Sequence, residues 1–458
     1  MLFFEQKKEV IQGKNMGYNF SGGQLKDSFN QKLKSFLDSL GPAISEGKKI
    51  PFVDNDLNYA LELQHNRFKE KGLSVKYELY DRDKRSDASV GAEWRDARYE
   101  SFVCHEQYGL KKKITKNGVV LFNDNRHNVM YTTITDVISG FHPDDESISC
   151  PNCGNVSTLA QLQGGCPYCG TTYKMTDLFP KVTGYHFLED VAPTSGENKS
   201  RMWLFILGGV VHTILLGIFG IILSIIRGEF DATAIPMFIM ACIFMLPIYG
   251  MGTGFMAYGV YRLIRLFVVG PRQSHGKWGA IGSRRGFEER MKRISPEFSF
   301  EYFTSKAVSL IKTAVFAPNE HNLMFYKGPD LDPYFKNIID LNYGSALGLT
   351  GFQEAYGNVF VTTNAFFDVL YMEGDKVIFK RDVFNAVFKR RTDIPVDMNF
   401  SMTKIQCPSC GGNFNAIQNK YCPYCGKEYN IESQDWVLVE LSRKQPAANA
   451  PAPANKQG

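Results

Sequence analysis

The sequence predicts an α+β protein: two domains of helices and antiparallel sheet, divided by a pair of membrane-spanning helices. Three observations carry this reading. Eight of the ten cysteines fall into four Cys-Pro-x-Cys-Gly units, grouped two and two along the chain. Two long apolar runs without a formal charge lie between the two groups. On each side of those runs, helical periodicity gives way to alternating strands, then to a pair of cysteine units, then to one last strand. The composition agrees. With 44% apolar and 22% charged residues, the 458-residue chain is neither mostly disordered nor a many-span transporter, and it is long enough for two or three cores.

The N-terminal region opens with only three apolar residues before Glu5, so no signal peptide is expected. Leu25, Phe29, Leu33, Phe36, Leu37 and Leu40 keep helical spacing, and a second helix is expected over about 54–71, stopping at Gly72. Val75, Tyr77 and Leu79 alternate with polar residues as a half-buried strand does. Further strands are expected at 98–104, 107–115, 118–123 and 127–139, with Asn117-Gly118 as a turn, and another at 182–188.

The cysteine units are Cys150-Pro-Asn-Cys153, Cys166-Pro-Tyr-Cys169, Cys407-Pro-Ser-Cys410 and Cys422-Pro-Tyr-Cys425, each followed by glycine. Each turn presents two sulfurs from one tight loop, and two turns separated by 11 or 12 residues can close a tetrahedral four-thiolate shell. A redox motif would occur once rather than in paired copies, and disulfides need an oxidising compartment. The expectation is two structural zinc ions, with iron in a rubredoxin-like site as the minor alternative. Cys104, although followed by His105, has no third catalytic group and reads as a packing residue.

Met202–Ile226 and Ala232–Tyr261 are 25 and 30 residues without a formal charge. Each exceeds the roughly 20 helical residues needed to cross a bilayer. The short connector between them makes a hairpin, and Gly250 and Gly254 form a Gly-x-x-x-Gly step suited to close helix packing. His212 reads as an interhelical hydrogen-bonding residue. From Arg262 to Arg293 nine basic residues face only Glu288 and Glu289, so the positive-inside tendency places both termini in the cytoplasm of a multi-pass cell-membrane protein. Within this collar Arg262, Arg265, Arg272, Lys277, Arg284 and Arg285 are the candidate contacts to anionic lipid.

After the collar, Ser295-Pro296 is expected to cap a helix whose apolar face is Phe300, Phe303, Ala307, Leu310, Ile311 and Ala314. Strands are expected at 358–371, 376–391 and 397–406, with Trp436–Leu441 closing the sheet. The boundaries are an N-terminal α+β domain at 1–149, a first zinc ribbon with closing strand at 150–195, the hairpin at 202–268 and a basic juxtamembrane segment at 269–293. A second α+β domain with its ribbon (407–425) spans 294–442, and the Pro/Ala-rich tail 443–458 is expected to be disordered.

The entry helix SPEFSFEYFTSKAVSLIKTAVF, the paired long strands and the closing QDWVLVEL at 434–441 resemble the bacterial zinc-ribbon members of the translocase-of-the-inner-membrane subunit-44-like, or import-motor tether, family. The resemblance covers about a third of the chain. It implies a nuclear-transport-factor-like cone with a curved antiparallel sheet, and a role at the membrane in protein transport. The expected function is therefore that of a non-enzymatic, membrane-anchored zinc scaffold holding a protein partner or a lipid headgroup, with homo-oligomerisation open. One alternative is an enzyme or small-molecule binder using an apolar cone pocket, with Asp368, Tyr371 and His321 as candidates. A nucleic-acid-binding ribbon protein is the weaker alternative, because Lys420 and Lys427 are offset by Glu428 and Glu432.

Overall fold

The computed structural model describes residues 27–444 apart from 82–88, 139–144, 151–152, 164, 172, 176–179, 190–194, 229–235, 237–239, 241–247, 265–276, 394–401, 405–406, 408, 413–419 and 429–434. Residues 1–189 together with 276–458 make one compact unit, and residues 190–275 make another. The two regions on either side of the apolar runs thus fold as a single body.

In the N-terminal half, α1 (Asp27–Glu46) and α2 (Asn55–Glu70) precede β1 (Leu73–Asp81), β2 (Ser89–Arg95), β3 (Tyr99–Lys116) and β4 (Val119–Val137). Leu33, Phe36, Leu40 and Ile44 recur every three or four residues on α1 and are all buried, which is why this segment is helical. Asn117 and Gly118, at φ 49° and 81°, form the two-residue turn that the sequence announces. The sequence reads β3 and β4 as four shorter strands, but each runs unbroken. Main-chain pairing continues through the polar middle, where Gln107 faces Val129 and Tyr108 faces Asn128. Backbone ladders do not need an apolar alternation to persist. After the first ribbon, β8 (Lys181–Glu189) returns beside β4, giving the strand order β1-β3-β4-β8 with β2 also on β3.

The C-terminal half contains α6 (Lys277–Ile294), α7 (Phe300–Phe316), α8 (Pro333–Lys336), β9 (Ile338–Ala355), β10 (Asn358–Glu373), β11 (Lys376–Arg391) and β13 (Val437–Arg443). The helix-entry signal lies four residues later than Ser295. Ser299 caps α7, its hydroxyl accepting from the Tyr302 amide, and Phe298 and Phe303 pack across the cap at 5.7 Å as a hydrophobic staple. Ser295 instead closes α6, its amide donating to the Met291 carbonyl at 2.8 Å. Strand β9 escapes the sequence pattern because Gly344, Gly348 and Gly351 interrupt its alternation, and its pairing with β10 carries three irregularities. Of the strand expected at 397–406, the structure describes β12 (Met402–Lys404); its remaining positions, like the tail beyond residue 444, lie outside the described residues.

Both halves share one plan. The C-terminal sheet has the order β9-β10-β11-β13, in which the last strand arrives after a ribbon, as β8 does. The match extends to single hydrogen bonds. The Val182 amide donates to the Phe52 carbonyl and the Asp54 amide donates to Val182, both at 2.9 Å. Equivalently, the Leu438 amide donates to Phe325 at 2.8 Å and the Lys327 amide to Leu438 at 2.9 Å. In each half a segment between two helices, α1 and α2 in the first and α7 and α8 in the second, makes a parallel bridge to the second residue of the closing strand.

Helix α2 lies between the halves, so it is buried on more than one face: Leu57, Leu61, Gln64, His65, Arg67 and Phe68 are all enclosed. The Arg67 guanidinium donates to five main-chain carbonyls of the other half: Val315 (3.0 Å), Ala317 (3.2 Å), Phe335 (3.3 Å), Lys336 (2.8 Å) and Ile338 (3.3 Å). Gln64 donates to Asp340 at 2.7 Å, and Lys112 of β3 pairs with the other oxygen of that carboxylate. Asn342 acts as a substitute strand partner: its amide group donates to the Phe187 carbonyl at 2.9 Å and accepts from the Phe187 amide at 3.0 Å, joining the edges β8 and β9. Lys306 of α7 bridges Asp56 (2.6 Å) and Asp435 (2.7 Å), while Lys181 pairs with Asp54 at 2.6 Å.

In the second unit, α4 (Ser195–Ile226) packs antiparallel on α5, described over residues 248–264. Phe205 meets Tyr258 and Tyr261, and Arg201 bonds the Tyr261 hydroxyl. A Cβ on Gly209 would fall 2.1 Å from the Gly250 carbonyl oxygen, and one on Gly254 2.5 Å from that of Phe205. The Gly-x-x-x-Gly step is therefore a seat for the partner helix. His212 lies on the exposed face of α4, not in this contact.

Arg67→Met is expected to cost about 3 kcal/mol or more, because five main-chain carbonyls, four of them in buried bonds, lose this donor together. Arg285→Ala, which removes an exposed pair with Glu289, is expected to change stability by at most about 0.5 kcal/mol. Denaturant titration of the purified protein measures both. Gly254→Leu is expected to separate α4 from α5, read as loss of cross-linking between cysteines introduced at Phe205 and Tyr258.

Candidate metal centres

Cys150, Cys153, Cys166 and Cys169 converge in one ribbon, and Cys407, Cys410, Cys422 and Cys425 in the other; within each set all four sulfurs lie within 4.8 Å of one another. The backbone makes the same turn four times. The amide of the first cysteine donates to the carbonyl five residues on (Asn155, Thr171, Gly412 and Lys427), and the following glycine amide donates back to the first cysteine carbonyl. Gly154, Gly170, Gly411 and Gly426 all sit at φ between 68° and 76°, the left-handed conformation that closes this loop without a Cβ clash. The tight turn leaves the first sulfur of each unit inside: Cys150, Cys166, Cys407 and Cys422 are buried, whereas Cys153, Cys410 and Cys425 are exposed.

The sulfur spacing fits a metal shell. Tetrahedral coordination with metal–sulfur bonds near 2.3 Å separates the sulfurs by about 3.8 Å. The Cys150–Cys169, Cys153–Cys166, Cys407–Cys425 and Cys410–Cys422 separations are 3.8, 3.7, 3.5 and 3.6 Å. These are far beyond the roughly 2.05 Å of a disulfide. Each ribbon can hold one metal ion.

Local sequence explains how the ribbons are held. The hairpin of β5 (Ser147–Ser149) and β6 (Val156–Thr158) carries the first turn. Thr158 and Gln161 then cap α3 (Leu159–Gln163) reciprocally, at 3.1 and 3.3 Å, as a capping box does. This aims the fully buried Leu162 at Cys150 and Cys166. In the second ribbon Glu428 pairs with Lys327 of the body, anchoring that ribbon beside the bridge at Tyr326 and Leu438. The sequence pattern does not show that the ribbons are joined: β7 (Tyr173–Met175) of the first pairs antiparallel with β12 of the second, Lys174 facing Thr403.

Cys104 is buried under α1, and burial, with the Glu106 charge, pushes its thiol up to about 12, as expected of a packing residue. Asp368 pairs with Arg381, Tyr371 stacks on Tyr334, and His321 bonds Asp330, so these three have separate partners. Arg284 turns inward, bonded to Glu288 and Glu301 and stacked over Trp94 and Phe300. Arg262 and Arg285 are exposed, while Arg265, Arg272 and the Lys277 side chain lie outside the described residues. Comparison of the chain with protein-family models, curated proteins and solved structures gives no match.

Reconstitution with Co²⁺ is expected to give the intense visible bands of tetrahedral thiolate coordination, saturating at two ions per chain. Cys153→Ser and Cys410→Ser are each expected to remove one ion and leave the other, as measured by metal analysis.

Proposed function

We propose that this protein is a membrane-anchored scaffold whose body is stiffened by two structural zinc ions and holds a protein partner or lipid headgroup at the cytoplasmic face of the cell membrane. The observation that carries the reading is α4. It contains a stretch, Lys199–Ile226, long and apolar enough to cross a bilayer, and almost none of it is covered by protein. At 1.5 Å per residue its 28 residues extend about 42 Å, beyond the roughly 30 Å of a hydrocarbon core. Trp203, Leu207, Phe219 and Ile226 are all exposed, a surface that water would not tolerate on a free helix.

The second span is the apolar run ending at Tyr261, whose described portion packs on α4 through the glycine seat. Other parts of it, within 229–247, lie outside the described residues. A two-span hairpin returns the chain to the side it left, and the nine cations from Arg262 to Arg293 favour the cytoplasm for that side. A reducing cytoplasm suits thiolate metal sites, and four-thiolate ligation of zinc supplies rigidity with no open coordination position. The tether-like reading draws support from Asp435 and Trp436: the carboxylate bonds Lys306, and the indole packs on Phe303 at 4.9 Å, locking the closing strand to α7.

Alkaline carbonate is expected to leave the full-length chain in the membrane fraction, and a reporter fused after Gly458 to read cytoplasmic. Release of the chain by carbonate, or proximity labelling with no reproducible partner at the membrane, would overturn the reading.

A further inference from the structure

A cavity of about 180 Å³ lies between α7 and the N-terminal sheet, inside the soluble body. Helix α7 contributes one wall as a continuous stripe from Glu301 through Thr304, Ser305, Val308 and Ser309 to Lys312. Strands supply the facing wall, with Val103, Thr133, Tyr185 and Tyr343 among its residues. None of this belongs to the metal centres or to the apolar helices.

Lys312 is the feature that the fold leaves unexplained. It is only 3% exposed, yet among the described residues its ammonium has no hydrogen-bond acceptor. The ammonium lies over the face of Tyr185, 4.9 Å from nitrogen to ring centre. Asp340, the carboxylate that acts on it from β9, is already engaged on one oxygen by Gln64 and on the other by Lys112. Burial pulls the Lys312 ammonium down to about 8; Asp340 opposes this and Lys112 adds to it. At the other end of the stripe, Arg284 is occupied by Glu288 and Glu301. Among the described residues, the cation of this cavity with no carboxylate bonded to it is therefore Lys312. The Thr304 hydroxyl, also buried on this wall, has no hydrogen-bond partner among the described residues.

A buried cation without an anion is costly unless something supplies one. The volume is close to that of a cavity that accepts benzene, about 150 Å³, so a guest has roughly six to nine non-hydrogen atoms. Tyr185, Tyr343, Val308 and Phe300 would enclose an apolar body. We propose that this cavity is a binding site for a small organic monocarboxylate, with its apolar part among these side chains and its carboxylate on Lys312. The inference stands apart from the scaffold reading and would survive its failure.

The test uses the full-length, detergent-solubilised, metal-loaded protein, titrated calorimetrically with benzoate and with hexanoate, and with benzyl alcohol as a neutral counterpart. One saturable site per chain is expected for at least one carboxylate, with benzyl alcohol weaker by about tenfold or more. Lys312→Met, which keeps the length of the side chain and removes the charge, is expected to weaken the carboxylate by about tenfold or more while raising the melting temperature of the unliganded protein. Val308→Phe, which fills the cavity and keeps the charge, is expected to abolish binding. Absence of saturable binding by both carboxylates, equal affinity for benzyl alcohol, or undiminished binding by either folded variant would overturn the proposal. The comparison of charged and neutral probes on the unaltered chain decides the matter if a variant does not fold.

Discussion

Five main-chain carbonyls of the C-terminal half end on one guanidinium from the N-terminal half. Val315 and Ala317 belong to the end of α7, where a helix leaves carbonyls without internal partners and carries partial negative charge, and Phe335 and Lys336 belong to the end of α8. Arg67 satisfies both ends at once. Burial lowers its pKa, with Glu70 and Glu320 opposing, but a guanidinium remains charged throughout any accessible pH. The consequence is geometric. With α7 and the start of β9 fixed to α2, the apolar cores cannot separate: Leu63 of the first half packs in the C-terminal core, while Ile339, Leu370 and Met372 pack in the N-terminal one.

The ribbons act on the same frame. Each is inserted immediately before the closing strand of its sheet, so the chain must leave the body, fold around a metal and return in register. Pairing of β7 with β12 makes the two excursions one object, and the pair of Glu428 with Lys327 ties that object to the body. The return of the second excursion is guarded by charge. Burial works against the Lys306 ammonium, yet Asp435 and Asp56 hold it well above its ordinary value. Asp56, by contrast, is pushed up by burial and by its neighbours Asp54 and Asp435, against the pull of Lys306. Three carboxylates share two lysines, so the position of Asp435 at the entry to β13 depends on groups from α2, α7 and β8 together.

What the sequence displays and what it hides divides along physical lines. Spacing within one element is visible, so the α1 stripe, the Asn117-Gly118 turn, the long strands β10 and β11 and the eight paired cysteines were legible. Contacts between distant elements are not. Arg67, Asp340, Asn342 and Lys306 look like surface residues in a one-dimensional reading, because nothing local marks a charge as buried and partnered some 250 residues away. This is why two regions separated by the apolar runs read as two domains although they fold as one compact unit. The same blindness applied to Arg284: a cation in a basic collar reads as a lipid contact, and only the fold shows it stacked between Trp94 and Phe300. Strand β9 was hidden for another reason, since its glycines fit the irregular pairing and erase the alternation that betrays a strand.

Comparison of the buried lysines separates those that hold the fold from the one that does not. Lys306 has two carboxylates, and Lys181 and Lys112 have one each. Every one of these joins elements from different parts of the chain, so each charge has a structural reason to be where it is. Lys312 sits on the same helix as Lys306, less than two turns further along, and among the described residues it pairs with no carboxylate, only with the face of Tyr185. A leucine or methionine there would pack against Tyr185 at no cost in desolvation. The cavity beside it is likewise space that the fold does not fill, and it faces the wall that carries the unpartnered Thr304 hydroxyl. An unneutralised charge and an unfilled volume each oppose stability, and in this body they occur together.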